Sequence, residues 1–145
     1  FALYVARLFV DSRPYPGAVD GVRALAAAGY RVAVVTNKPR RFAEPLVRHL
    51  GLADVIRVVV GGECTAHRKP DPAPLLLALE RLGADVDGAL MVGDSATDVA
   101  AARAAGVPVV CVPYGYRRGV DVEQLGADGV VVALTELPAR LQEAA

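Results

Sequence analysis

The chain has 145 residues, enough for one domain with its own core. Its 16 Lys and Arg balance 16 Asp and Glu, so a formal net charge of zero draws it neither to nucleic acid nor to an anionic membrane. Apolar residues make up 54% and aromatics only 6%, a composition suited to helices packed on a parallel sheet.

No apolar stretch approaches the length of a membrane span, and the first residues lack the basic start and apolar run of a secretion signal. Cys64 and Cys111 lie far apart and outside any CxxC or metal spacing, so they read as two free thiols in a reducing cytoplasm. His49 and His67 have no nucleophile or ligand partner in the sequence and read as surface residues.

In chain order, Phe1, Tyr4, Val5, Leu8 and Phe9 recur at helical spacing, which predicts an amphipathic helix over residues 1 to about 12. Arg13-Pro14-Tyr15-Pro16-Gly17 breaks it. A second helix is expected over 18–28, with Val19, Val22 and Leu25 on one face and Gly29 after its end. Arg31 to Val35 reads as a buried strand, and Pro39 opens a helix that runs to about Leu50. Val55 to Val60 is the next β-rich run, closed by Gly61-Gly62. Asp71 is placed to cap a helix that begins at Pro72 and ends at Gly83. A strand over Ala89 to Val92, a helix over Thr97 to Ala105 and a strand over Val107 to Val112 follow. A short strand over Gly129 to Val132 and a helix over Leu134 to Gln142 close the chain. This alternation predicts an α/β fold with a parallel sheet built from βαβ units.

Three segments carry chemistry. Gly93-Asp94-Ser95-Ala96-Thr97-Asp98 puts two carboxylates after an apolar strand, where open α/β sheets bind ligands. Like charges about 4 Å apart repel by about 4 kcal/mol at an effective dielectric near 20. A cation between them would relieve this, and Mg²⁺ prefers carboxylate oxygens and water. The same string also fits a capping box, with Ser95 as N-cap and Asp98 at the third helical position. Thr36-Asn37-Lys38-Pro39 offers a hydroxyl, an amide and backbone N–H groups to an oxyanion, or else a plain βα turn with a capping residue. Arg68-Lys69-Pro70-Asp71-Pro72 holds Lys69 between a Gly-rich turn and two prolines, either to neutralise a phosphate or as a solvated basic loop.

Taken together and in this order, the three segments resemble the haloacid dehalogenase superfamily of phosphohydrolases. Thr36 matches the family's second motif, Lys69 its third, and Asp94 with Asp98 its fourth, in GDxxxD form. With Pro14-Tyr15-Pro16-Gly17 added, the set is similar to the phosphoglycolate phosphatase branch, over essentially the whole chain. The resemblance implies a Rossmann-like parallel sheet with helices on both faces, and residues 1–13 as the end of a helical cap domain. Residues 14–145 would then be the core domain lacking its first strand.

The family's first motif, Asp-x-Asp-Gly-Thr after an apolar strand, has no convincing match. Asp85-Val86-Asp87-Gly88 mimics it, but a helix precedes it where a buried strand is required. Phe9-Val10-Asp11-Ser12 would place Asp11 at a strand end, but the second Asp of the motif falls on Arg13, which has no acid–base capacity. The first motif is therefore expected upstream, in a longer chain. Without its strand, inner sheet edges would lie open beside the strands that lead to Thr36 and Asp94.

The resemblance further implies a phosphatase acting on a small phosphorylated metabolite with Mg²⁺ as cofactor. Thr36, Asn37 and Lys69 would bind the phosphate, Asp94 would hold the metal, and Asp98 would orient Lys69 or a metal-bound water. A pyrophosphatase, or another small-phosphate hydrolase, keeps the same chemistry. A non-catalytic phosphate- or Mg²⁺-binding module that lacks the nucleophile is the reading from another class. Oligomeric state is left open.

Overall fold

Continuous apolar runs, buried on both sides, are what a central parallel sheet requires. The structure, a computed structural model, describes residues 2–5, 9–10 and 13–14 as backbone, and residues 17–93, 95–112, 126–130 and 134–139. In chain order the strands and helices are β1 (Ala2–Val5), β2 (Phe9–Val10), β3 (Arg13–Pro14), α1 (Ala18–Ala27), β4 (Arg31–Val35) and α2 (Arg40–His49). They continue as β5 (Ile56–Val60), α3 (Ala73–Leu82), β6 (Ala89–Gly93), α4 (Ala96–Ala105), β7 (Val109–Cys111) and β8 (Gly129–Val130).

Six of the strands form one parallel sheet in the order β5-β4-β1-β6-β7-β8. Side chains of successive residues leave opposite faces of a strand, and the core divides accordingly. Val32 and Val34 of β4 and Leu90 and Val92 of β6 pack on one face with Val22 and Leu25 of α1, Val47 of α2 and Leu137. Ala33, Val35, Ala89 and Met91 pack on the other with Leu75 and Leu79 of α3 and Val99 and Ala102 of α4. Helices thus cover both faces, as expected. No helix among the described residues is long and apolar enough to cross a membrane.

The start of the chain corrects the sequence reading. Residues 2–5 form a strand where a helix was expected, and β1 pairs with β4 on one side and β6 on the other. The gap expected between those two strands is therefore filled. A short apolar run such as Ala2-Leu3-Tyr4-Val5 fits either period, and two flanking strands satisfy its backbone groups. Phe9–Val10 and Arg13–Pro14 pair as a separate antiparallel ribbon, outside the sheet. Asp11 lies outside the described residues.

The remaining departures are at element ends. β7 is shorter than the run from Val107 to Val112 that suggested it. The chain turns helical again at Leu134 as expected, while residues 131–133 and 140–145 are outside the described residues.

Candidate active site

The C-terminal ends of β4 and β6 carry the site. Thr36 follows β4 directly, and its N–H donates to Val60 O of β5 at 3.0 Å, which extends the strand pairing by one residue. Its Oγ1 accepts from the Lys38 N–H at 3.1 Å, which leaves the hydroxyl proton to donate outward. The Asn37 main-chain N–H has no hydrogen-bond partner among the described residues.

The loop after β5 folds back over this turn. Gly62 N–H donates to Lys38 O at 3.1 Å. A side chain at Gly62 would collide with the Asn37 carbonyl oxygen, and one at Gly61 with the Arg40 backbone. Close backbone approach therefore requires both glycines, where the sequence reading saw only the end of a strand. Further along, Lys69 N–H donates to Asn37 Oδ1 at 3.1 Å, and Asn37 Nδ2 donates to Lys69 O at 3.2 Å. The Lys69–Pro70 peptide is cis. Asp71 accepts the Ala73 N–H at 2.9 Å, the capping role expected of it.

Lys69 turns inward. Its Nζ donates to Asp98 Oδ1 at 2.7 Å and to Val35 O at 3.3 Å. The two residues are only 9% and 3% exposed, so this ion pair is buried. A buried charge is tolerated only when paired and hydrogen-bonded, and both conditions are met. The second Asp98 oxygen accepts from Ser95 Oγ at 3.1 Å, while Asp98 N–H donates to Ser95 Oγ at 3.3 Å. The N-cap bond and the Lys69 contact therefore coexist on one aspartate. A methyl group added at Gly93 would stand 2.5 Å from Asp98 Cβ, so the glycine before the carboxylate string lets α4 start this close to the strand.

The expectation of open N–H groups at the start of α2 is corrected in part. Glu63 accepts the Arg40 N–H, with its two carboxylate oxygens at 3.0 and 3.1 Å. Its own main-chain N–H, and then that of Arg40, hold the Glu63 carboxyl below the usual glutamate range. An oxyanion here would meet the Thr36–Lys38 turn rather than the first turn of the helix. Nothing in the sequence marks Glu63 for this role, because its reach to Arg40 depends on the fold-back at the two glycines.

Asp94 lies outside the described residues. Among the described residues no group of three or more His, Cys, Asp or Glu is gathered to hold a metal ion. Asp85 precedes and Asp87 lies within a 3-10 turn (Val86–Gly88) at the N-terminal end of β6, the edge of the sheet away from the site, which agrees with reading that string as a mimic. Cys64 is a free thiol, and Cys111 is buried in β7.

Comparison with known proteins adds four findings. A family model described as haloacid dehalogenase-like hydrolase matches residues 2–106. A phosphoglycolate phosphatase of Nitrosospira multiformis is 47% identical over 140 residues, which cover 97% of this chain and 62% of that protein. The crystal structure of a predicted phosphoglycolate phosphatase from Haemophilus somnus superposes with a TM-score of 0.84 at 33% identity, covering 90% of this chain and 58% of the other. That of CbbY from Rhodobacter sphaeroides in complex with phosphate gives a TM-score of 0.74 at 30% identity, covering 86% and 56%. The chain thus spans roughly three fifths of the length of these relatives (62%, 58% and 56%).

Proposed function

The chain belongs to the haloacid dehalogenase-like hydrolases, and on that premise we propose that it is the core of a Mg²⁺-dependent phosphatase for a small phosphomonoester of the phosphoglycolate type. The observation that carries the proposal is the buried Lys69–Asp98 pair, set against the end of β4 that leads into Thr36. A cation held this firmly beside a hydroxyl and a main-chain N–H with no partner among the described residues is suited to a phosphoryl group. For such a group, catalysis is mostly positioning and charge stabilisation.

In this reading a carboxylate oxygen of an aspartate upstream of Phe1 attacks phosphorus. The ester P–O bond breaks, the leaving oxygen takes a proton from the motif's second aspartate, also upstream, and an aspartyl-phosphate forms. Water then attacks phosphorus, releasing inorganic phosphate and restoring the aspartate. The Thr36 hydroxyl and the Asn37 main-chain N–H donate to the transferring oxygens. Lys69 offsets charge on the nucleophile and phosphate, and Asp98 holds Lys69 in place. Asp94 would hold Mg²⁺ directly or through water, and the bound ion would neutralise further phosphate charge. The relatives' names support the substrate class, and one structural neighbour, CbbY, was crystallised in complex with phosphate.

One observation favours a second reading. β1 sits between β4 and β6, and the residues after it in sequence are Ala6 and Arg7, not an aspartate. An upstream strand bearing the nucleophile would have to take the place of residues 2–5. If β1 keeps that place, the site binds phosphate without cleaving it. Phosphate release by the full-length protein, assayed on 2-phosphoglycolate, pyrophosphate and an aryl phosphate, distinguishes these cases. The expected result is Mg²⁺-dependent turnover, fastest on 2-phosphoglycolate and lost in Asp94→Ala. Turnover that survives Asp94→Ala removes the metal assignment, and pyrophosphate as the best substrate replaces the substrate class.

A further inference from the structure

We propose that the Asn37 side chain is a positioning residue for Lys69 rather than a ligand of phosphate; the proposal rests on the phosphatase reading only for what Lys69 then does. The sequence put Asn37 in the oxyanion site together with Thr36. In the structure its carboxamide is turned to the main chain of a residue 32 positions on. Oδ1 accepts the Lys69 N–H at 3.1 Å and Nδ2 donates to Lys69 O at 3.2 Å. A primary amide presents a donor and an acceptor side by side, as this reciprocal pair requires, whereas an ionised aspartate of the same size offers acceptors alone.

Lys69 is therefore held at both ends by the last residues of β4 and the turn after it. Asn37 fixes its backbone, while Val35 O and Asp98 Oδ1 receive its ammonium at 3.3 and 2.7 Å. Val35 and Asn37 are the two sequence neighbours of Thr36, so the clamp also fixes where the Lys69 charge lies relative to the Thr36 hydroxyl. Lysine needs such a device, because its charge rides on a flexible four-carbon stem. Gly62 completes the arrangement, since any side chain there would strike the Asn37 carbonyl oxygen.

Lys38 and Lys69 are the only lysines among the 145 residues, so within this stretch amine labelling reads two sites. The full-length protein is treated briefly with acetic anhydride, and each lysine is read by mass spectrometry. In the wild type Lys69 is protected by burial and pairing. In Asn37→Ala its modification rises about tenfold or more, the scale expected from losing a pair of hydrogen bonds. Asn37→Asp, which keeps an acceptor for the N–H but sets an oxygen against Lys69 O, gives a smaller rise and serves if the alanine variant does not fold. Val22→Ala, in the core on the far face, is the control for general loss of stability and leaves Lys69 protected. Lys69 as protected in both Asn37 variants as in the wild type overturns the proposal. So does a raised KM at unchanged kcat with Lys69 still protected, which would make Asn37 a phosphate ligand. Exposure of Lys69 with phosphate release unchanged upholds the clamp and removes Lys69 from the chemistry. Exposure together with a fall in kcat upholds both.

Discussion

Three neighbouring strands end side by side, and among the described residues two of them lead into the candidate site. Val34 of β4, Val5 of β1 and Val92 of β6 are in register. Beyond that line β4 leads to Thr36 and the Asn37–Lys69 clamp, and β6 leads to Gly93 and the Ser95–Asp98 cap. The sequence after β1 is Ala6-Arg7. A slot between two parallel strands can be satisfied by any short apolar run, because backbone pairing and burial are indifferent to what comes next. A reactive site is not so tolerant. It needs glycines where backbones nearly touch and a charge pair closed off from water.

The largest expected effect falls on the charge pair. Asp98→Ala leaves the buried Lys69 ammonium unpaired, and denaturant unfolding is expected to show a loss of about 3–5 kcal/mol. A loss within the range of an exposed ion pair, up to about 1 kcal/mol, would show that the pair is not closed off from water. Next comes Gly93→Ala. Its methyl group would stand 2.5 Å from Asp98 Cβ, so α4 must shift, at a cost of about 1–3 kcal/mol. That loss should be accompanied by faster labelling of Lys69; a stable variant with Lys69 still protected would separate the two strand ends from one another. Ser95→Ala removes the N-cap that accepts from Asp98 N–H, and thermal unfolding should register about 1 kcal/mol. The smallest effect is on acid stability. The folded-state pKa of Glu63 is depressed by its own main-chain N–H and that of Arg40. Its ionised form therefore stabilises the fold above the ordinary glutamate range, and that contribution is lost as pH falls through the lower folded value. Glu63→Gln should flatten that part of the acid-unfolding curve. An unchanged curve would show that Glu63 does not fasten the loop to α2.

The sheet and its helices were readable because β4, β5 and β6 are apolar runs, interrupted only by Arg31 and Arg57, between turn signals, and the helices after them end at glycines such as Gly83 and Gly106. Thr36, Lys69 and Asp98 were readable because their residue types and order resemble a known set of motifs. Residues 2–5 were misread because helical and strand patterns coincide over so short an apolar segment, and the flanking strands decide between them. The clamp and the Glu63 cap were not readable at all. Each joins residues more than twenty positions apart through a loop whose path depends on Gly61 and Gly62. Side-chain amides carry no sign in the sequence of which backbone they will meet.

The account stands most directly on one measurement, the kcat for phosphate release from 2-phosphoglycolate by full-length Lys69→Gln with Mg²⁺ present. Glutamine still offers Asp98 a hydrogen-bond donor but removes the positive charge. If that charge serves the transferring phosphoryl group, kcat falls by about 10²–10³-fold, the scale of losing one preorganised electrostatic contact. A folded Lys69→Gln protein with the kcat of the wild type would contradict it.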